Sequence, residues 1–296
     1  MSDTHVPSRV FPRARQDAET ANAGISTPQT ENPSYRLAFQ DMDFLLREDL
    51  RPVRFQLELL KPELILEEAN IASTFVMYGS ARIPEPAKAK ALLELARGEE
   101  AIRIAERLVA KSKYYDEAYK LAQLVSVFPR DETGKRHFVV CSGGGPSIME
   151  AANRGAAEGG HESIGLNIVL PHEQAPNPYV TPHLSMQFHY FALRKMHFLL
   201  HARALAAFPG GFGTFDELFE LLTLIQTGKI KPIPVLLFGR EFWNRVVNFE
   251  ALVEEGVISA RDLDIFTFVE TAEEAWAVVK EFYRDAPVPG VPGAGA

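Results

Sequence analysis

Residues 208–220 read FPGGFGTFDELFE, and this glycine-rich stretch decides how the chain folds. The apolar segment 204–208 that leads into it is short enough to be a buried strand. Downstream, leucine and isoleucine recur at helical spacing over residues 218–225. The stretch therefore predicts a turn from a strand into a helix, with glycines that permit backbone angles forbidden to side chains and let a ligand approach the main chain.

The predicted start of this helix has the features of an anion site. Thr214 is placed to cap the helix, whose first free N–H groups then point at the turn and favour a phosphate. The carboxylate of Glu217 would lie one turn away, which suggests chemistry on a phosphorylated molecule. However, Thr214-x-x-Glu217 also fits a capping box, in which Glu217 would only bond to the Thr214 backbone. The stretch by itself leaves both interpretations open.

Composition indicates a globular protein with a sizeable core. The 296 residues are 46% hydrophobic and 24% charged, and the formal net charge is −8. That charge argues against a partner such as nucleic acid or a membrane surface. The single cysteine, Cys141, excludes an internal disulfide and fits a reducing compartment. The first residues lack the apolar core of a secretory signal, and no stretch has the length of a membrane span, so we expect a cytoplasmic protein.

The chain is predicted to have four parts. Residues 1–35 are polar and are expected to be disordered, residues 36–70 to form a helical extension, and residues 286–296 to form a flexible tail. Between them, residues 71–285 alternate apolar strand-like segments with helical patterns. The predicted strands are Thr74–Tyr78, Phe138–Cys141, Ile164–Leu170, Met186–Tyr190, Leu205–Phe208 and Val235–Phe238. The predicted helices include 88–111, 116–127, 213–228, 241–254 and a last helix capped by Thr271.

This alternation predicts an α/β protein with a Rossmann-like, doubly wound parallel sheet covered on both faces. Ligands in such folds bind beyond the carboxyl ends of the strands. Three turns are expected at those ends and could converge on one pocket that binds phosphate or ribose. They contain Gly79 and Ser80, then Gly143, Gly144 and Gly145, and then Gly210, Gly211, Gly213 and Thr214.

Other candidate motifs are weaker. The run from Gly143 to Ile148 begins like a dinucleotide fingerprint, but its sixth residue is Ile, so a standard NAD site fits poorly. His197 and His201 have the spacing of a zinc pair, yet no neighbouring acid or cysteine completes a ligand set. Cys141 is expected to be a small core residue. Arg194 and Lys195 begin an otherwise apolar helix, where Arg194 either clamps a phosphate or takes part in a structural ion pair.

With these residues in hand, the chain resembles the LOG ("lonely guy") family of phosphoribohydrolases, whose members are often mislabelled as lysine decarboxylases. The motif Pro-Gly-Gly-x-Gly-Thr-x-x-Glu is complete over residues 209–217, and Arg194-Lys195 matches the Arg-Lys pair of the preceding helix. The glycine turns after the first two strands match as well. The resemblance covers about residues 72–255.

The resemblance implies hydrolysis of the N-glycosidic bond of AMP or of its N6-prenylated forms, without a metal or organic cofactor. It also implies that Arg194 and Glu217 form the catalytic pair, that the 210–214 turn and Lys195 contribute to binding, and that the protein forms a homodimer or higher homo-oligomer. A carboxylate suits this reaction, because it can stabilise cationic charge on the sugar or activate water. Two alternatives stay open: a nucleotide-binding module without activity, and a decarboxylase that would use Lys195 to hold pyridoxal phosphate.

Overall fold

The computed structural model of the protein describes residues 11–171 and 175–284. The chain divides into a first unit that ends at Glu58 and a second that begins at Leu59. The first unit contains helix α1 (Ala14–Asn22), helix α2 (Met42–Leu45) and the beginning of α3 (Arg51–Glu68). None of residues 11–58 is fully buried. The described part of the first unit, residues 11–58, therefore has no hydrophobic core of its own.

Helix α1 lies inside the segment for which the sequence predicts disorder. At its N-terminus the Arg13 N–H donates to Gln16 Oε1 at 2.7 Å, which is a local reason for a helix at this position. The mobility of residues 1–35 stays a prediction, as do the boundaries at residues 35 and 70. The predicted flexible tail, 286–296, lies outside the described residues.

The second unit is built on a seven-stranded sheet in which every pairing is parallel. Its spatial order is β4-β3-β2-β1-β5-β6-β7. The strands are β1 (Thr74–Tyr78), β2 (Val139–Ser142), β3 (Ile164–Ile168), β4 (Ser185–Phe188), β5 (Ala202–Ala207), β6 (Val235–Phe238) and β7 (Thr267–Val269). The Rossmann-like, doubly wound sheet that the sequence predicts is therefore confirmed.

Helices cover both faces of the sheet. Successive residues of a strand point to opposite faces, so each strand contributes side chains to two cores. Phe75 and Met77 of β1 pack in one core and Val76 and Tyr78 in the other. The helices of this unit after α3 are α4 (Pro86–Leu95), α5 (Glu99–Lys111), α6 (Lys113–Ser126), α7 (Ile148–Glu158), α8 (Phe191–Leu200), α9 (Phe212–Gln226), α10 (Arg240–Val246), α11 (Phe249–Glu254) and α12 (Ala272–Phe282). Helices α6, α7 and α12 supply one core, while α3 and α8–α11 supply the other. Within the described residues, none of these helices combines the length and apolar character needed to cross a membrane.

Several boundaries differ from the sequence expectation for local reasons. The predicted helix 88–111 is two helices, because Ala96 is extended and Gly98 has a φ of 85°. The predicted helix 241–254 is also divided, because Val247 is extended. Strand β7 was not expected from the sequence, and its three residues are too short for a pattern. Thr271 caps α12 as predicted, by accepting a hydrogen bond from the Glu274 N–H.

The order of the strands determines where a ligand site can form. The chain runs outward from β1 through β2, β3 and β4, and then returns to the other side of β1 with β5. The crossover helices leave in opposite directions at this point, so a crevice opens beyond the carboxyl ends of β1 and β5. The turns that follow β1, β2 and β5 all lie at this edge.

Candidate active site

A cavity of about 930 Å³ lies at the carboxyl edge of the sheet. The three glycine turns, the start of α9, Met149 of α7, and Phe191 and Arg194 of α8 contribute to its walls. The residues that line it include Tyr78, Gly79, Ser80, Ala81, Arg82, Gly143, Gly145, Met149, Arg194, Gly210, Gly211, Phe212, Gly213, Thr214 and Glu217. The structure thus brings together almost all of the site residues expected from the sequence.

The turn between β5 and α9 differs in detail from the expectation. The N-cap of α9 is Gly211, three residues before Thr214; it provides no side-chain cap, and Thr214 lies inside the first turn of the helix. The prediction that Thr214 caps the helix is therefore wrong, and so is the capping-box alternative for Glu217. No glycine of this turn has a left-handed φ. Gly210 is needed for a different reason, because a Cβ there would collide with the side chain of Thr214.

The first turn of α9 presents unused backbone donors to the cavity. Phe215 is the first residue of the helix to donate to a preceding carbonyl, that of Gly211. The N–H groups of residues 212–214 precede it and have no carbonyl within the helix to accept from them. A Cβ at Gly211 or Gly213 would meet no protein atom within 4 Å, so the main chain is open to a ligand there. Such a helix N-terminus favours an anion.

Arg194 and Glu217 form a buried ion pair at the floor of the cavity. The Arg194 Nη1 lies 3.0 Å from Oε1 of Glu217, and its Nε donates to the carbonyl of Leu166 at 2.6 Å. The guanidinium carbon also lies 4.9 Å from the ring centre of Phe198. The exposed fractions of the two side chains are 10% and 13%. Arg194 is therefore fixed by three contacts, and it holds the Glu217 carboxylate in one orientation.

Burial gives Glu217 an unusual acidity. Loss of solvent raises the pKa of its carboxyl to about 7, although the charge of Arg194 acts in the opposite direction. Burial likewise raises the pKa of Tyr78 well above its usual value, and the nearby Glu217 carboxylate adds to this effect. Near neutral pH, Glu217 can thus both accept and donate a proton, while the phenol of Tyr78 stays neutral.

The turn after β2 is held by a buried polar network. The Gly144 N–H donates to Ser142 Oγ, and Ser142 Oγ donates to Asn153 Oδ1 at 2.7 Å. Asn177 donates to the carbonyls of Gly144 and Gly145 and to Asn153. These bonds leave little freedom to the backbone of the turn. Its position beside the cavity is therefore set by residues that do not themselves reach a ligand.

Two glycines of this turn have little room around them. A Cβ at Gly143 would lie 2.7 Å from Nη2 of Arg194 and 2.9 Å from the sulfur of Met149. Gly144 has a φ of 72°, and a Cβ there would collide with the side chain of Asn167. Gly143 therefore sets the space available to Arg194, whereas Gly144 faces away from the cavity, against β3.

Two of the predicted binding residues do not line the cavity. Gly144 is one of them, and Lys195 is the other: its ammonium group lies 3.1 Å from both Asp216 Oδ1 and Glu220 Oε2. Lys195 follows Arg194 by one residue on α8, so the two side chains leave the helix in different directions. A direct contact from Lys195 to a bound phosphate is thus not supported by this geometry.

The remaining residues considered in the sequence, His197, His201 and Cys141, do not line the cavity. His201 lies 2.9 Å from Glu63 Oε2, and His197 is buried, with its Nδ1 at 3.4 Å from Glu63 Oε1. Cys141 is buried in the core as predicted, and burial raises the pKa of its thiol.

Sequence reasoning missed Tyr78, Arg82, Asn153 and Asn177. Tyr78 and Arg82 flank the Gly79-Ser80 turn, so the turn itself could have indicated them. Asn153 stands next to Arg154 in the helical segment 151–157, so its polarity alone does not mark it as a buried residue. Asn177 follows a segment without periodicity, and nothing in the sequence connects it with the turn after β2.

Comparison with known proteins gives a matching family model and several relatives. The family model described as "Possible lysine decarboxylase" matches residues 149–279. The cytokinin riboside 5′-monophosphate phosphoribohydrolase LOG3 of Arabidopsis thaliana is 31% identical over 182 residues, which is 60% of this chain and 78% of that protein. LOG4 of the same plant is 29% identical over 176 residues, 58% of this chain and 77% of the relative.

A solved structure, that of TM1055, covers 71% of this chain and 99% of its own with 20% identity and a TM-score of 0.45. The sequence relatives are the stronger finding, since the match to LOG3 extends over more than three quarters of that protein. The matched region includes the turn and the helix that carry Glu217. This chain belongs to the LOG family.

Proposed function

We propose that this protein hydrolyses the N-glycosidic bond of a purine 5′-mononucleotide and releases the free base and ribose 5-phosphate. The observation that carries the proposal is the buried Arg194–Glu217 pair, which faces the same cavity as the open N-terminus of α9. An anion site beside a carboxylate of perturbed acidity fits a phosphorylated sugar as the substrate.

The chemistry follows from the charge that develops during bond cleavage. As the bond from the anomeric carbon to the base nitrogen breaks, positive charge builds up on the sugar ring. The Glu217 carboxylate stabilises that charge and takes a proton from the attacking water, whose oxygen bonds to the anomeric carbon. The nitrogen of the leaving base takes up one proton and Glu217 returns the proton it accepted, so that one water is consumed and Glu217 is restored as a carboxylate. A group with a pKa of about 7 suits proton transfer at neutral pH.

Arg194 acts in this proposal as a positioning residue for Glu217. Two of its guanidinium nitrogens are engaged by Glu217 and by the Leu166 carbonyl, which leaves Nη2 directed toward Gly143. Of the two roles that the sequence leaves open for Arg194, a phosphate clamp and an ion pair, the contact with Glu217 favours the ion pair. The phosphate is held instead at the N–H groups of residues 212–214, and this fixes the sugar relative to Glu217.

The proposed substrate is AMP, with its N6-prenylated forms as close relatives. The curated relatives are named for action on cytokinin riboside 5′-monophosphates. A cavity of about 930 Å³ has ample room for a mononucleotide. Base preference is read directly by comparing kcat/KM for AMP and for N6-isopentenyl-AMP.

We also infer a homodimer and a cytoplasmic location. Phe212 lines the cavity with 98% of its surface exposed, and Phe191, which also lines it, is 53% exposed. Large apolar side chains at the edge of a cavity support a contact with a second subunit. A mass of about twice 33.0 kDa in light scattering would agree with the dimer.

The single Cys141 supports a reducing compartment and hence the cytoplasmic location, which cell fractionation tests.

The function is tested by incubating the protein with AMP and separating the products by chromatography. The wild type should release one adenine for each ribose 5-phosphate. The control Glu106→Gln, which removes an exposed acid from α5, should do the same. Glu217→Gln should lose roughly 100-fold or more in kcat. Tight AMP binding without products from the wild type would instead support the nucleotide-binding module. An absorbance band of bound cofactor would support the decarboxylase.

A further inference from the structure

The charges that line the cavity do not balance those of the proposed substrate. The charged residue types that line the cavity are Arg82, Arg194 and Glu217. A phosphate monoester adds about −1.5 to −2 at pH 7. Because Arg194 is already paired with Glu217, the phosphate needs another cation. The net charge of −8 on the whole chain means that this cation must be local.

Arg82 is placed to supply that charge. Its loop follows β1 and is joined to the turn after β5 by a hydrogen bond from the Ser80 N–H to the Pro209 carbonyl, 3.2 Å long. Two further bonds fix the loop: Arg82 N–H donates to Ser80 Oγ, and Ser147 Oγ donates to the Ala81 carbonyl, each at 3.0 Å. The backbone of Arg82 is therefore held beside the turn that presents the free N–H groups of α9.

The guanidinium of Arg82 is also available. The residue is exposed, and no carboxylate of the described part of the chain lies within ion-pair distance of it. Lys195, the other cation near the site, is held by Asp216 and Glu220 outside the cavity lining. Arginine suits the task, because its planar fork can bond two phosphate oxygens at once.

We propose that Arg82 binds the 5′-phosphate and makes the enzyme select nucleotides over nucleosides. The inference rests on the proposed function, because it assigns the phosphate of that substrate to a side chain as well as to the α9 backbone. It divides the work within the cavity: Arg82 and residues 212–214 hold the phosphate, while Arg194 orients Glu217. Arg82 is thus a binding residue that acts through KM more than through kcat.

The test compares Arg82→Gln and Arg82→Lys with Arg103→Gln, a control that removes an exposed arginine from α5. Binding of ribose 5-phosphate and of ribose is measured by calorimetry, and cleavage of AMP and of adenosine by chromatography. Relative to the wild type, Arg82→Gln should have a roughly 10- to 100-fold lower affinity for ribose 5-phosphate and a similarly lower kcat/KM for AMP. Its affinity for ribose and its kcat/KM for adenosine should stay within about twofold of the wild type. Arg82→Lys should recover part of this loss. Added salt should weaken the binding of ribose 5-phosphate more in the wild type than in Arg82→Gln.

The two measurements separate this proposal from the proposed function. If the wild type cleaves no AMP but binds ribose 5-phosphate through Arg82, the hydrolase assignment fails and the phosphate site stands. If Arg82→Gln matches Arg103→Gln in ribose 5-phosphate binding and in kcat/KM for AMP, the role of Arg82 is refuted while the hydrolase stands. A wild type that does not bind ribose 5-phosphate refutes the phosphate site outright.

Discussion

Replacing Glu217 by glutamine should make the protein more stable at alkaline pH while removing its activity. Burial raises the pKa of Glu217 from 4.5 to about 7, against the opposing effect of Arg194. A carboxyl with a raised folded-state pKa stabilises the fold below its unfolded pKa, and this contribution is lost as the pH rises through the folded value. The wild type should therefore lose stability between pH 4.5 and pH 7 at this residue.

The size of the effect follows from the two pKa values. A rise from 4.5 to about 7 corresponds to about 3 kcal/mol of unfolding free energy. Only 13% of the side chain is exposed, so solvent screening leaves most of this amount in place. Glutamine resembles the protonated acid in size and lacks its charge, so the variant should keep the stability that the wild type loses. For a chain of this length, the difference at pH 8 is roughly 6 °C in Tm.

The assay is differential scanning calorimetry of wild type, Glu217→Gln and the surface control Glu106→Gln at pH 5 and pH 8, without ligand. The Tm of Glu217→Gln should exceed that of the wild type at pH 8, and the gap should narrow strongly at pH 5. Glu106 is exposed on α5, so its variant should follow the wild type at both values. If the Tm of Glu217→Gln falls with pH as steeply as that of the control, Glu217 does not carry a raised pKa and the account of its acidity is refuted.

Three further predictions concern AMP cleavage. The kcat/KM of the wild type should rise with pH and level off above about 7, because the ionised Glu217 is the active form; a rate independent of pH from 5 to 8 would contradict this. Lys195→Gln should move that rise to higher pH, since the Lys195 ammonium lowers the pKa of Glu217; an unchanged pH profile would show that its charge is not felt there. Gly143→Ala should lower kcat roughly 10- to 100-fold by displacing Arg194, and full activity would mean that the position of Arg194 matters little.

The sheet and the position of the site could be predicted because both depend on local patterns. Short apolar segments marked β1 and β6 with their observed bounds, and the glycine turns marked the edge at which a ligand binds. Helix breaks were harder, because a single extended residue such as Val247 ends a helix without a change in hydrophobic pattern. The same limit explains the error at Thr214, because an N-cap three residues earlier, at Gly211, makes Thr214 an interior position of the helix.

The division of roles between the charged residues could not be read from the sequence. Arg194 and Lys195 are neighbours in the chain, yet one is buried against Glu217 and the other binds acids at the surface. Arg82 lies more than a hundred residues from the 208–220 stretch and reaches it only because β1 pairs with β5. Contacts of this kind depend on the topology of the sheet, which residue patterns determine only in outline.

The most direct test of the central claim is a product analysis with AMP, using wild type and Glu217→Gln in parallel. The account predicts adenine and ribose 5-phosphate in equal amounts from the wild type and roughly 100-fold less from the variant, with AMP binding retained in both. Equal release of adenine by the two proteins would contradict the role of Glu217. No adenine from the wild type, with either AMP or N6-isopentenyl-AMP, would contradict the hydrolase itself.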